Sequence, residues 1–304
     1  MSSFAALKEI QSIRVVDDAH GQCLLIESAQ SKAKLSLFGA HCLSFIVKKD
    51  GVERLWLSDK AIFDGKTAIR GGIPICWPWF GAHLTYTGVP NHGFVRSQKW
   101  QVVDCQESSL DETGKAKSVR LRLCPEKLGL YHCNPLLNVS LNLTLSDTLS
   151  LELHTENLSD QIIQVSQALH TYFTVPDIEQ CVIEGVNNDY YDKVTDTQGV
   201  KCPAPYTVAG EVDRVHAIAH ENYSRDQSIN LVFSPQSDKP RQHQTITQSG
   251  HDSLVIWNPW QALSRSMPDM ADEGYRTMLC VEAANTQGLA LLPGKSHSLK
   301  QVIY

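Results

Sequence analysis

The sequence predicts an all-β fold, a large antiparallel β-sandwich, on three observations. Apolar residues recur at every second position over long stretches, turn-forming residues interrupt them at short intervals, and helical spacing is scarce. Short strands with one apolar face bury that face by packing sheet on sheet. The 304 residues are expected to form one domain over 1–304, a length that all-β domains reach.

In chain order, Phe4, Leu7 and Ile10 are spaced for one short helix. Leu35 and Leu37, then residues 43–47, read as two strands joined at Gly39-Ala40. The polar stretch 104–117 reads as a loop, and Val119, Leu121 and Leu123 as a strand. Leu137, Val139, Leu141, Leu143 and Leu145 alternate with polar residues. After Ser146-Asp147-Thr148, Leu149, Leu151 and Leu153 do the same, which predicts a hairpin with one buried face. Residues 234–250 read as another loop, and 267–273 as a turn of helix. Residues 289–292, Pro293-Gly294 and 297–303 read as a terminal hairpin.

Composition narrows the function. With 27 Lys plus Arg against 33 Asp plus Glu, the net charge is −6. Nucleic acid and anionic membranes reward a basic face, so neither is the expected partner. A small anion needs only one or two local arginines. Nine dispersed cysteines without a C-x-x-C pair predict a reduced, cytoplasmic protein. The first residues carry no secretory pattern, and no apolar run approaches the ~18 residues of a membrane span.

Four segments break the alternation. In Arg70-Gly71-Gly72-Ile73-Pro74-Ile75-Cys76-Trp77-Pro78-Trp79-Phe80-Gly81, glycines allow unusual dihedrals and prolines stiffen the chain. A packed corner accounts for the tryptophans, whereas Arg70 beside two glycines suits an anion. Asn91-His92-Gly93-Phe94-Val95-Arg96 supplies a second arginine, although spacing alone does not bring it to Arg70. In Gln167-Ala168-Leu169-His170-Thr171-Tyr172-Phe173, strand geometry puts Ala168, His170 and Tyr172 on one face. A histidine there is commonly a satisfied core residue, and imidazole is also the usual proton carrier near neutrality. Met278-Leu279-Cys280-Val281-Glu282-Ala283-Ala284-Asn285 is a buried-type strand with a carboxylate in its middle. A structural ion pair and a base with a tuned pKa account for Glu282 equally well.

Two patterns are set aside. Gly288 and Gly294-Lys295-Ser296 are separated by five residues, where a phosphate-binding P-loop has four. The twelve histidines form no H-E-x-x-H set, so no metal is expected.

Taken together, Arg70-Gly71-Gly72-Ile73-Pro74 with Trp79-Phe80-Gly81, His92-Gly93-Phe94-Val95-Arg96, Leu169-His170-Thr171-Tyr172-Phe173 and Val281-Glu282-Ala283-Ala284-Asn285 resemble the aldose 1-epimerase superfamily. They resemble its D-hexose-6-phosphate mutarotase branch in particular, which Glu211-Val212-Asp213-Arg214-Val215 also matches. The resemblance runs from about Leu35 to the Pro293-Gly294 turn. It implies a galactose-mutarotase-like antiparallel β-supersandwich, no cofactor and a sugar-phosphate substrate; a monomer is expected, although the sequence itself does not set the oligomeric state. By resemblance His170 is the general acid toward the ring oxygen and Glu282 the base toward the C1 hydroxyl. Arg70 and Arg96 correspond to phosphate ligands, and His92 and Asp213 to sugar-binding or supporting residues. The alternatives are a mutarotase of unphosphorylated hexoses, a carbohydrate-binding module that needs no acid and base, and a glycoside hydrolase, which needs two carboxylates.

Overall fold

The computed structural model describes residues 7, 10–218, 226–233 and 242–304. Every strand pair is antiparallel, and the strands form three sheets. Ile13–Asp18, Gly21–Glu27, Ser31–Ser36 and His41–Val47 make a four-stranded meander. One eight-stranded sheet runs from Trp100–Glu107 through Val119–Pro125, Leu137–Leu145, Leu149–Asn157, Ser296–Ile303, Gln242–Ser249 and Gln227–Phe233 to Cys181–Glu184. The other carries, in spatial order, Thr197–Val200, Tyr190–Asp192, Val212–Ala217, Ser253–Asn258, Met278–Leu291, Ile163–Leu169 and Ile75–Cys76, with Tyr172–Thr174 also paired to Met278–Leu291.

The expected hairpin at Leu137–Leu145 and Leu149–Asn157 is present, with Leu141 opposite Leu153 and Leu143 opposite Leu151. These four leucines are fully buried. Burying each stabilises the fold by about 1.5–3 kcal/mol relative to an exposed position. The second sheet divides its side chains with the same period of two. Leu254, Ile256, Val281 and Ala283 enter the main core. Val255, Trp257 and Glu282 take the other face.

Several expectations are corrected. Residues 104–107 belong to the strand Trp100–Glu107, which its charged outward residues obscure. Residues 242–249 are a strand and not a loop. Its inward positions include Gln244 and Gln248, buried amides that do not register as a core pattern. The rest of that expected loop, 234–241, lies outside the described residues. The last two strands are not a hairpin. Met278–Leu291 pairs with Ile163–Leu169 and Ser253–Asn258, while Ser296–Ile303 pairs with Leu149–Asn157 and Gln242–Ser249. The Pro293-Gly294 turn therefore crosses between sheets, held by Gly294 N–H donating to the Asn157 carbonyl at 2.9 Å. The helical turn expected over 267–273 falls instead at Trp260–Ser266, followed by a 3₁₀ turn at Gly274–Thr277. Of the N-terminal helix, Phe4 lies outside the described residues, and Leu7 is helical and buried. No helix among the described residues is long and apolar enough to cross a membrane.

Candidate active site

Sheet register assembles the site. Tyr172 stands opposite Cys280, Cys280 opposite Trp257, and Trp257 opposite Asp213. Four strands thus contribute one row of side chains to one face. Glu282, two residues beyond Cys280, lies on that same face. His170 follows the strand Ile163–Leu169, and its N–H donates to the Pro74 carbonyl at 3.0 Å. The imidazole stacks on Tyr172, with centroids 5.0 Å apart and planes 8° from parallel, and meets the Trp257 ring edge-on at 6.0 Å. His170 Nδ1 lies 3.4 Å from Glu282 Oε1.

Both partners are buried, His170 at 9% exposure and Glu282 at 1%. Neither His170 Nδ1 nor Glu282 Oε2 has a hydrogen-bond partner among the described residues. Burial disfavours charge on each. It pulls the imidazole well below its ordinary range, aided by His92, Arg96 and Arg70. It pushes the Glu282 carboxyl well above its ordinary range, reinforced by Asp213 and opposed by Lys193 and Arg96. The opposed shifts favour a protonated Glu282 beside a neutral His170.

The loops that break the alternation bring the remaining groups. Gly72 has φ +59°, and a Cβ there would overlap the Cys42 carbonyl. This close approach lets Gly72 accept from Tyr172 N–H at 2.9 Å, so the Arg70 loop sits against that row of side chains. The buried, neutral His41 donates Nε2–H to the Gly71 carbonyl at 2.6 Å. Arg70 donates Nη1 to the Tyr172 hydroxyl at 3.0 Å and Nε to Asp269 at 3.2 Å. Its Nη2 pairs with the same Asp269 oxygen at 3.1 Å. Gly93 packs so closely on Trp77 that any Cβ would overlap the Trp77 carbonyl, which carries His92 and Arg96 to the site. The His92 ring lies 5.8 Å from that of His170, and burial followed by Arg96, Lys193 and Arg70 draws it down to about 3. It is therefore neutral, and its Nδ1 accepts from Gly81 N–H at 3.2 Å. Arg96 forms one side-chain hydrogen bond among the described residues, from Nη2 to the Asn91 carbonyl at 2.8 Å. Asp213 pairs with Lys193 at 2.7 Å.

His170, Glu282, Arg70, Arg96, His92 and Asp213 are all brought to one region, since each lies beside or electrostatically affects the buried pair. Sequence reasoning did not select Tyr172, Trp257, Lys193, Asp269 or Cys280 as site residues. Tyr172 carried a signal, because it shares a strand face with His170. His170, Cys280 and Glu282 offer donor atoms within 4.8 Å of one another, a set that could close on a metal ion. Burial and the neighbouring carboxyl raise Cys280 well above the ordinary thiol range, which opposes the thiolate such an ion requires.

A buried network braces this arrangement. Trp77 Nε1 donates to Thr155 at 3.1 Å, Thr155 donates to Gln167 at 2.8 Å, and Gln167 donates to Asn285 at 3.1 Å. It ties the loop after Arg70 to both eight-stranded sheets.

The aldose 1-epimerase family model matches residues 22–304. An Escherichia coli protein named "Putative glucose-6-phosphate 1-epimerase" is 33% identical over 264 residues, covering 86% of this chain and 82% of that protein. The crystal structure of a "putative mutarotase" from Salmonella typhimurium superposes with a TM-score of 0.78 at 26% identity, covering 98% of each chain. A galactose mutarotase-like protein from Clostridium acetobutylicum shares the fold at 13% identity, with a TM-score of 0.68 over 96% of this chain and 97% of that one.

Proposed function

The chain belongs to the aldose 1-epimerase family, and from that premise we propose that it interconverts the α and β anomers of a hexose 6-phosphate, glucose 6-phosphate foremost. The observation that carries this reading is the buried 3.4 Å contact between His170 and Glu282, an imidazole and a carboxyl whose pKa values burial shifts in opposite directions. Mutarotation needs no more than that. A proton goes to the ring oxygen O5 as another leaves the O1 hydroxyl, the C1–O5 bond breaks, and the aldehyde turns about C1–C2. Closure on the other face runs the transfers backward, so the pair ends as it began.

In the free site burial favours the proton on Glu282 and a neutral His170. The positive charges of Arg70 and Arg96 both oppose protonation of His170, whereas of these two only Arg96 is among the influences on Glu282. A phosphate dianion held by these arginines offsets their charge and eases protonation of His170. His170 then serves as acid toward O5 and Glu282 as base toward O1. The phosphate end positions the sugar without reacting, and His92 and Asp213 line its course. Arg96, which has no carboxylate partner among the described residues, is the stronger of the two candidates for the phosphate. We place the protein in the cytoplasm, a reading supported by its nine free cysteines.

The test follows the decay of freshly generated α-glucose 6-phosphate to anomeric equilibrium, read with a β-specific dehydrogenase and compared with α-glucose. Acceleration is expected, and His170→Ala is expected to lose it by about 10²–10⁴-fold. A folded protein that accelerates neither sugar overturns the proposal.

A further inference from the structure

The strands that carry the catalytic pair continue into a second cavity of about 630 Å³, within the range of small-molecule sites. Ile163–Leu169, which leads to His170, lends it Gln164 and Ser166. Met278–Leu291, which carries Glu282, lends it Thr286, Gln287 and Gly288. Phe80 separates the two regions. Its ring meets His92 at 4.9 Å and packs on the small cluster that includes Ala168 and Ala284. Ala168 lies midway in sequence between Ser166 and His170, and Ala284 midway between Glu282 and Thr286. The Phe80 N–H is anchored on Ser166 Oγ at 2.9 Å.

The chemistry on the far side of Phe80 is different. No Asp, Glu, Lys or Arg occurs among the described residues that line this cavity. Its walls come from four uncharged runs of the sequence, within 71–95, 128–146, 161–176 and 283–294. Charged residues make up 20% of the chain, so the convergence of these runs on one cavity is a property of the fold. Aromatic rings form one wall. Trp79, His83 and His132 line the cavity. Trp79 meets His83 at 4.8 Å, and Tyr86, which is not itself a lining residue, holds His83 at 4.9 Å and stacks on His132 at 4.3 Å with planes 24° apart. Tyr131, 45% exposed, adds another ring. The side-chain amides of Asn134, Gln161, Gln164 and Gln287 supply both donors and acceptors.

Rings that cover C–H faces, amides that read hydroxyls and the absence of full charges match one ligand class. We propose that this cavity is a second binding site, for a neutral carbohydrate, adjoining the catalytic site across Phe80. A phosphate gains little there, because no Lys or Arg stands among the described residues of the wall. A polypeptide would be the occupant of a flat, mainly apolar face, whereas this cavity is concave and rich in amides.

The experiment uses methyl α-D-glucopyranoside, whose acetal cannot open and which is therefore no substrate for the catalytic pair. Its binding is followed by saturation-transfer NMR and titration, with and without saturating glucose 6-phosphate. Binding with a Kd of about 1 mM that survives saturation by glucose 6-phosphate is expected. Tyr131→Ala and His132→Ala, at exposed positions, are each expected to weaken it about five- to tenfold, and Gln164→Leu to weaken it as well. All three should leave kcat/KM for glucose 6-phosphate unchanged. The proposal is overturned if the glucoside does not bind, if glucose 6-phosphate displaces it, or if none of the three variants weakens it. The first outcome would leave the surface to a polypeptide.

Discussion

The two ends of the strand Met278–Leu291 face opposite chemistries. Around Cys280 and Glu282 the neighbouring elements supply Arg70, Arg96, Lys193, Asp213 and Asp269. Around Thr286 and Gly288, among the described residues lining the cavity, they supply no formal charge. The strands are shared, so the difference arises in the loops that close over them. Arg70 and Arg96 enter on loops whose glycines permit close backbone approach, whereas the uncharged wall comes from the chain just after Trp77 and from residues 131–137. One face of a sheet thus carries a charged cluster and an uncharged cavity, with Phe80 packed beside both.

The strongest way to break this comparison is Glu282→Gln. Mutarotation of glucose 6-phosphate is expected to fall by about 10²–10⁴-fold, with the affinity for methyl α-D-glucopyranoside unchanged. Parallel loss of both would mean that the two ends form one site. Arg96→Gln is the next largest. Loss of a charge-assisted hydrogen bond costs about 1.5–3 kcal/mol, so KM for glucose 6-phosphate should rise about tenfold to a hundredfold while that for glucose barely moves. An equal rise for both sugars would remove the phosphate from Arg96. The smallest effect is a displacement along the pH axis. Activity should fall on the alkaline side as Glu282 loses its proton, and on the acid side as His170 gains one. Asp213 raises the Glu282 pKa. Asp213→Asn should therefore move the alkaline limb of the kcat/KM profile to lower pH. An alkaline limb that stays in place or moves to higher pH would contradict the assignment of that limb to Glu282.

Much of this was legible in the sequence where physics writes a repeating pattern. The leucine alternation of Leu137–Leu145 and Leu149–Asn157 marked a hairpin, because burial demands a period of two. The strand Gln242–Ser249 was hidden, since its inward Gln244 and Gln248 are polar. Glu282 stood out as a carboxylate in an apolar run, and resemblance supplied its role. The row from Tyr172 through Cys280 and Trp257 to Asp213 could not be read, because it exists only in the register of four strands. Nor could the tie from Arg70 to Tyr172 and Asp269, which joins residues 102 and 199 positions apart. Local patterning reports which face a residue takes and says little about which distant neighbour meets it there.

The buried network from Trp77 to Asn285 has a consequence for timing. Its hydrogen bonds join the loop after Arg70 to strands of both large sheets, and each donor or acceptor it holds would be costly to release away from water. Bracing of this kind fixes the loop after Arg70 before the sugar arrives, which suits an enzyme whose substrate also equilibrates by itself and must be overtaken.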